Sequence, residues 1–383
     1  MRWICWGLLA LTLPSCDGSR QARVDPPSNP PGGLEQMLEE IRTKHDLPGL
    51  AAAVVRGGQA VESAVAGVRR MSTGDPLRID DRFHIASCTK SMTATLAAIL
   101  VEEGRLQWTS RLTDVLPELR NARGEYQGAT LEQLLAHAAR MPAYTQFGPD
   151  RLEELKALRG SPTGQRLAFL SEVLAAEEPN DATGDATYSN VGYTAAAAML
   201  ERATGESWED LVRSRLTQPL GMTSVGFGWP ASVRAPEQPR GHFLRNRERV
   251  EQPLDDSYLL PVALWPAGAV HSSIGDLGRY AADHLDGLMG RKALLPRAAY
   301  EKLHRTPTGV EQGFTLGWGV RRDERWGVLH YGSGSGGTFF VRIAIAPEHD
   351  AAVVVASNSG EAAAATREVI ESLLARAESS GEI

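Results

Sequence analysis

Strand-forming segments lie near both ends of the 383-residue chain, with a long region of helical pattern between them. The strand-like runs are 50–56, 59–67, 327–332, 338–347 and 351–358. Gly57-Gly58 separates the first two runs, which predicts a hairpin. Because strands from both ends can bury their apolar sides in one shared sheet, we expect the ends to meet and the region between them to be an insertion.

The remaining segments show helical periodicity. Leu34, Met37, Leu38 and Ile41 recur at helical spacing, which predicts an amphipathic helix that ends before Pro48. Further helices are expected over much of 90–220, including an amphipathic run that continues to Leu100, and from Glu361 to about Ala377. The expected fold class is α/β (α+β), with an antiparallel sheet from about 34–86 and 260–378 flanked by helices and a mostly helical insertion at about 87–255.

Composition excludes several classes of function. The chain is 42% hydrophobic and 23% charged, with a net charge of −7 and no run of five like charges. These values favour a folded protein with a buried core and argue against nucleic acid as a partner. The nine histidines show neither H-x-H nor H-E-x-x-H spacing. We therefore expect no metal ion and no cofactor.

The N-terminal residues have the pattern of an export signal. Arg2 precedes an apolar run that is too short to span a bilayer, so residues 1–15 are interpreted as a signal peptide. The segment Leu-Pro-Ser-Cys ending at Cys16 resembles a bacterial lipobox, and 16–33 is rich in Pro, Ser and Gly, typical of a tether. We expect an exported, periplasmic protein anchored to the membrane by a lipid on Cys16. The alternative is ordinary cleavage nearby, which leaves Cys16 unmodified.

The first chemical motif is Ser87-Cys88-Thr89-Lys90, at the start of a helical run. Residues i and i+3 share one face of a helix, so Ser87 and Lys90 would meet there. A hydroxyl beside a buried amine gives a nucleophile and a group that takes its proton. Such a short pattern is common, and alone it favours an ordinary start of a surface helix.

Two later motifs change this interpretation. Tyr188-Ser189-Asn190 and His330-Tyr331-Gly332 follow the first motif in order along the chain. Together the three motifs resemble the S-x-x-K, Y-x-N and [KHW]-x-G motifs of the serine β-lactamase and D-alanyl-D-alanine carboxypeptidase superfamily, which includes β-lactamase-like esterases. The resemblance covers about 34–378 and implies a β-lactamase/transpeptidase-like fold for this hydrolase domain.

The resemblance implies a role for each catalytic residue. Ser87 would be the nucleophile that forms an acyl-enzyme, and Lys90 would share or accept its proton. Tyr188 would act as a base if nearby positive charge lowered its pKa. The sequence does not decide whether Lys90 or Tyr188 is the base for acylation.

The resemblance also implies a set of substrate-binding residues. Asn190 would hold the substrate amide and the neighbouring lysine. The backbone N–H groups of Ser87 and Ser333 would form the oxyanion hole. His330 would lie on the strand edge beside the substrate, in the same motif as Gly332.

The implied activity is that of an exported serine hydrolase that cleaves an amide or ester, of the D-alanyl peptide or β-lactam type. One alternative is a β-lactamase-like carboxylesterase. Another is a penicillin-binding or peptidoglycan-sensing protein that is acylated but does not turn over. The expected partners are a small-molecule or peptide substrate, with peptidoglycan as one source, and a lipid anchor to the membrane.

Four other features are interpreted as structural, as a departure from the family or as a chance match. Cys88 should point away from Ser87 and pack in the core, since adjacent helical residues differ by about 100°. His137 lies on an apolar helical face and is assigned to structure. Arg140 stands where the family has glycine, and a left-handed conformation there would cost about 1–2 kcal/mol. The glycines of 332–337 match a dinucleotide pattern, but a strand follows them instead of a helix.

Replacement of Cys16 with alanine should release the full-length protein from membranes or block its maturation, because acyl chains on this cysteine would provide the anchor. Fractionation of a Gram-negative host that expresses the wild-type protein and the variant measures this effect. A wild-type protein found wholly in the soluble periplasmic fraction would contradict the lipobox interpretation.

Overall fold

A computed structural model of the chain describes residues 33–180, 186–254 and 260–379. The predicted signal peptide, Cys16 and the tether up to residue 32 lie outside the described residues. Within the described ranges, none of the helices combines the length and the apolarity that a membrane span requires.

The largest sheet joins the two ends of the chain. The strands are β1 (Gly49–Arg56), β2 (Gln59–Gly67), β3 (Arg82–His84), β4 (Gly226–Phe227), β5 (His242–Arg245), β6 (Glu248–Glu251), β7 (Val270–Ser273), β8 (Gln312–Phe314), β9 (Gly319–Asp323), β10 (Gly327–Ser335), β11 (Phe340–Ala346) and β12 (Ala351–Ser357). Seven of them form an antiparallel sheet in the order β2-β1-β12-β11-β10-β9-β8. The pairing of β1 with β12 confirms the expected sheet built from both ends.

The predicted hairpin is present at the first turn of this sheet. Gly57 and Gly58 connect β1 and β2, with φ values of 54° and 72°. Positive φ at both central residues suits the right-handed twist of the strands, and glycine adopts it without steric cost. The turn therefore fixes the edge of the sheet as the sequence predicts.

Helices cover both faces of the sheet and form the region between its two halves. They are α1 (Gly33–Lys44), α2 (Thr89–Glu102), α3 (Leu112–Val115), α4 (Gly124–Gln127), α5 (Leu131–Leu135), α6 (Pro149–Lys156), α7 (Pro162–Ala176), α8 (Asn190–Thr204), α9 (Trp208–Leu211), α10 (Trp265–Gly268), α11 (Ile274–Leu288), α12 (Arg297–His304) and α13 (Ala363–Ser379). Leu50 and Val54 of β1 pack with the α1 and α13 side, whereas Ala51 and Val55 pack on the opposite face. Both faces of β1 are therefore buried.

Helix α2 differs from its sequence prediction. An amphipathic helix would leave one face in water, but residues 89–100 are buried on every side. The helix packs against α8, α10 and α12, and the loop at Gly317 approaches it so closely that a Cβ there would lie 2.7 Å from the Ser91 Cα atom. The sequence pattern could not show that neighbours from distant parts of the chain cover the polar face.

The second half of the insertion also differs from the prediction. The helical pattern holds to about residue 220, but β4, β5 and β6 follow within 226–251. Strand β4 pairs with β7, which pairs with β3 in a separate three-stranded sheet. Strand β3 leads directly into the turn that carries Ser87, so this small sheet fixes the position of the chain just before the first motif.

A buried ionic cluster joins three helices of the insertion. Arg166 of α7 lies between Glu201 of α8 and Glu209 of α9, at 2.5 and 2.8 Å. All three side chains are buried. Loss of one partner would leave charge in the interior without compensation, which is costly.

Replacement of Arg166 with methionine should lower the free energy of unfolding by about 3–5 kcal/mol, because two buried carboxylates lose their cation. Urea denaturation measures the change. The control is Arg297→Met, which removes an exposed pair with Glu301 on α12 and should cost at most about 0.5 kcal/mol. Equal effects of the two substitutions would contradict the structural role of the cluster.

Candidate active site

Ser87 lies in a tight turn between β3 and α2. Residues Ala86–Cys88 form a single 3₁₀ turn, and the Cys88 N–H donates to the Ile85 carbonyl at 3.1 Å. Ala86 has a φ of 45°, a left-handed conformation that costs a residue with a Cβ about 1–2 kcal/mol. The strained turn places the Ser87 side chain at the wall of a cleft.

Lys90 lies one turn further along, with its side chain buried. Its Nζ donates to the Asn190 Oδ1 atom and to the Ala267 carbonyl oxygen, both at 2.8 Å. Burial lowers the pKa of Lys90 well below its ordinary value of 10.5. The neutral amine, which can accept a proton, is therefore favoured more than in a solvent-exposed lysine.

Tyr188 contacts the Ser87 hydroxyl directly. Its Oη donates to Ser87 Oγ at 2.7 Å, and Lys90 Nζ lies 4.6 Å from the centroid of its ring. Burial raises the pKa of Tyr188 above its ordinary value of 10. Because burial lowers the pKa of the lysine and raises the pKa of the tyrosine, both side chains favour their uncharged forms.

The side chain of His137 packs against the ring of Tyr188. Its ring lies 4.5 Å from the Tyr188 ring, and its Nδ1 accepts from the Ser189 N–H at 3.1 Å. Burial lowers its pKa well below 6.5. The side chain is buried and contacts the second motif through Tyr188 and Ser189, but it lies in the turn after α5, with a φ of 60°, and not on the helical face that the sequence predicts.

Asn190 begins α8 and connects the second motif to the first. Its Oδ1 accepts from Lys90, and its Nδ2 donates to the Tyr144 carbonyl at 2.7 Å. The structure therefore brings together Ser87, Lys90, Tyr188 and Asn190, as the three-motif pattern predicts. Their chain separation of about a hundred residues is bridged by the packing of α2 against α8.

A cleft that is open to solvent lies beside Ser87. Its lining residues are Ala86, Ser87, Thr145, Phe147, Asn190, Leu260, Ala267, Gly268 and Ser335. His330, Gly332 and Ser333, which the sequence motifs assign to substrate binding, are not among them, and neither are Lys90 and Tyr188. His330 is instead buried in the sheet, opposite Ile345 and Val320, with its ring 4.7 Å from that of His304.

The strand that carries the third motif explains this difference. A Cβ on Gly334 would lie 2.0 Å from the Ile85 carbonyl oxygen, so this glycine, two residues beyond Gly332, is the one that passes the Ser87 turn. The Gly336 N–H donates to the Phe339 carbonyl. Because bonding alternates along an antiparallel pair, the Ser335 N–H points away from β11. The Ser333 N–H has the same direction, but Ser335 lines the cleft beside Ser87 and Ser333 does not, so Ser335 is the candidate for the backbone donor there.

The sequence could not distinguish Ser333 from Ser335 as the residue beside the cleft. The run Gly-Ser-Gly-Ser-Gly at 332–336 repeats every two residues, so a shift of two keeps the same residue types on the same face. The close approach of Ile85 to Gly334 is a tertiary contact that no local pattern contains. Ser335 and Gly334 are thus the site residues that sequence reasoning missed.

Two other sequence interpretations are resolved by local geometry. Cys88 is buried, its Sγ lies 3.9 Å from the Val341 carbonyl oxygen, and burial raises the pKa of its thiol to about 12, so it packs in the core as expected. Arg140 has a φ of 52°, which is the left-handed conformation considered for that position. Its Nε donates to the Asn180 carbonyl oxygen at 3.2 Å.

Across the part of the chain that the structure describes, no cluster of three or more acidic, His or Cys side chains is placed to hold a metal ion.

Comparison with known proteins gives the family. A family model described as Beta-lactamase matches residues 34–376. The chain belongs to the beta-lactamase family. It is a serine hydrolase of that family, with the β-lactamase/transpeptidase-like fold, and the family resemblance seen in the sequence is confirmed.

Relatives of this beta-lactamase family member carry several kinds of name. "Penicillin-binding protein 4" of Amycolatopsis lactamdurans is 27% identical over 360 residues, which cover 89% of this chain and 88% of the relative. "Esterase EstB" of Burkholderia gladioli is 27% identical over 308 residues, which cover 75% of this chain and 77% of the relative. The octameric penicillin-binding protein homologue from Pyrococcus abyssi has a TM-score of 0.70 at 20% identity, with 90% of this chain and 76% of that chain covered, and supports the fold.

Three buried histidines, His284, His304 and His330, form a cluster, and His330 belongs to the third motif on β10. His284 and His304 share a hydrogen bond of 2.8 Å between their rings, and the His304 ring contacts His330. Burial lowers the pKa of His330 to about 4 and that of His284 to about 3. These side chains are therefore neutral near pH 7 in the folded protein.

Replacement of His330 with glutamine should make the free energy of unfolding less sensitive to acid. The unfolded histidine binds a proton below about pH 6.5, whereas the folded one resists until about pH 4. The contribution of the neutral, buried His330 to the free energy of unfolding is therefore complete above pH 6.5 and is lost as the pH falls toward 4. Between pH 7.5 and 5.0, the variant should lose about 2 kcal/mol less than the wild type. Urea denaturation at both pH values measures the losses. The pH 7.5 value gives the packing cost separately, and equal losses would contradict the expectation.

Proposed function

We propose that this protein is an exported serine hydrolase that cleaves an amide or an ester through an acyl-enzyme on Ser87. The observation that carries the proposal is the 2.7 Å hydrogen bond between Tyr188 Oη and Ser87 Oγ beside the buried Lys90. A hydroxyl becomes a useful nucleophile when a neighbouring group can take its proton. This arrangement provides such a group.

In the acylation step, Ser87 Oγ attacks the substrate carbonyl carbon and its proton goes to the Tyr188–Lys90 pair. The C–N or C–O bond of the substrate then breaks, and the pair returns a proton to the departing nitrogen or oxygen. Burial favours the neutral amine of Lys90, which supports its capacity to hold this proton. The tyrosine hydroxyl makes the direct contact with Ser87, and as it takes the serine proton its own proton would pass to the neutral amine of Lys90.

In the deacylation step, water replaces the leaving group. The same pair takes a proton from water, the oxygen of which attacks the acyl carbon, and the proton passes to Ser87 Oγ as the acyl bond breaks. The negative charge on the carbonyl oxygen would be stabilised in both steps by the backbone N–H groups of Ser87 and Ser335. Asn190 would fix the position of Lys90 through its bond of 2.8 Å.

The names of relatives support both peptide-type and ester-type substrates. They include penicillin-binding proteins, a D-alanyl-D-alanine-carboxypeptidase/endopeptidase and an esterase. We extend the proposal to a D-alanyl peptide, β-lactam or simple ester as substrate, with peptidoglycan as one source. The N-terminal sequence supports a periplasmic location with a lipid anchor on Cys16.

Replacement of Ser87 with alanine should abolish covalent labelling by a fluorophosphonate probe, because the acyl or phosphonyl bond forms on that oxygen. Cys88→Ala is the matched control. It removes the adjacent nucleophilic side chain and should retain labelling. Intact-mass analysis measures the adduct, and an adduct that persists on the Ser87→Ala protein would contradict the assignment. With penicillin, a stoichiometric burst without turnover would indicate the receptor-type alternative.

A further inference from the structure

We propose that the cleft accepts acyl donors that carry no carboxylate beside the scissile bond, which makes uncharged carboxylic esters and thioesters its substrate class. This inference rests on the proposed acylation of Ser87 and specifies which of the candidate substrates that site takes. It is carried by the side chains that line the cleft and by the partners of the cations next to them.

The described lining of the cleft contains no charged side chain. Its polar members are Ser87, Thr145, Asn190 and Ser335, and the others are apolar residues or glycine. Phe147, one of the apolar members, packs its ring 5.9 Å from that of Tyr144. The surface that meets the substrate therefore offers hydrogen bonds and apolar contacts.

Two cations next to lining residues are already engaged. Lys90 directs its Nζ to two oxygen acceptors of the protein and lies buried over the Tyr188 ring. Arg151 donates to the hydroxyl of Tyr144, the residue that packs against Phe147, and pairs with Glu172 at 2.7 Å. Neither arrangement leaves a cation directed at the substrate.

The strand edge beside the cleft also lacks a cation. The side of β10 that faces α2 carries Gly332 and Gly334, and then His330 further along. His330 is buried against His304, and its lowered pKa of about 4 agrees with a neutral ring. Arg342 of β11 lies over the Phe340 ring, which belongs to the core on the opposite face of the sheet.

A substrate carboxylate in this cleft would lose part of its hydration without gaining a charged partner. A buried ion is stable only when it is paired or well hydrogen-bonded. A carboxamide of the same shape costs less to bury and can bond to Asn190 or to backbone groups. The cleft should therefore discriminate against the charged member of an otherwise identical pair.

The test uses two thioesters, S-butanoyl thioglycolate and S-butanoyl thioglycolamide. They share the acyl group and differ only in a carboxylate or a carboxamide on the leaving group. Thiol release gives kcat/KM for each between pH 6 and 8.5. We expect the amide to exceed the carboxylate by at least about tenfold, which corresponds to about 1.4 kcal/mol. An equal or greater kcat/KM for the carboxylate would overturn the inference.

A designed cation gives the complementary test. Thr145 lines the cleft and is partly exposed, so Thr145→Lys places a charge at its wall, and Thr145→Met is the uncharged control of similar length. The lysine variant should reduce the ratio of amide to carboxylate several-fold, whereas the methionine variant should leave it unchanged. Equal ratios in the two variants would show that charge does not set the preference.

The same assays separate this inference from the proposed function. Hydrolysis of either thioester by the Ser87→Ala protein at the wild-type rate would contradict the acyl-enzyme on Ser87. Loss of activity in that variant, with a preference for the carboxylate in the wild type, would overturn the inference alone. If the wild type cleaves neither thioester, turnover of a cephalosporin or a D-alanyl-D-alanine peptide would overturn it as well.

Discussion

The two hydrogen bonds of the Lys90 side chain hold three separate parts of the chain together. They connect α2 to Asn190 at the start of α8 and to Ala267 in α10. A buried amine is costly unless its donors are satisfied, so each acceptor must be held in place by its own element. The alignment of Ser87 with Tyr188 depends on this arrangement, because Ser87 lies two residues before α2 and Tyr188 lies two residues before α8.

Strained backbone lies in the loops that surround this lysine. Ala86, His137, Arg140 and Tyr144 all have φ values between 45° and 60°, although none is glycine. Conformations of this kind persist only where the surrounding packing enforces them. Here the Ser87 turn is fixed by β3 and β10, and the loop at 137–144 is fixed by Asn190 and the Ser189 hydroxyl. Packing energy of the helices thus maintains the geometry of the nucleophile and the tyrosine.

Sequence reasoning reached the fold and most of the site because both depend on local chemistry. Alternating or continuous apolar runs identified the strands at each end, and the motifs of Ser87 and Tyr188 identified the reacting groups. It was wrong on α2, where burial comes from helices far along the chain. It also assigned the third motif to His330 and Ser333, because a repeat of two residues offered no local signal for the contact between Gly334 and Ile85.

The sequence by itself determined which residue types are available for chemistry and which segments form helices and strands, since these properties follow from side-chain pattern and backbone preference. Tertiary structure decided the protonation chemistry, because the lowered pKa of Lys90 and the raised pKa of Tyr188 both arise from burial. It also decided that Ser335 lines the cleft and that His330 is buried with its ring against His304. Burial and strand contacts depend on what packs against a residue, and that information is distributed over the whole chain.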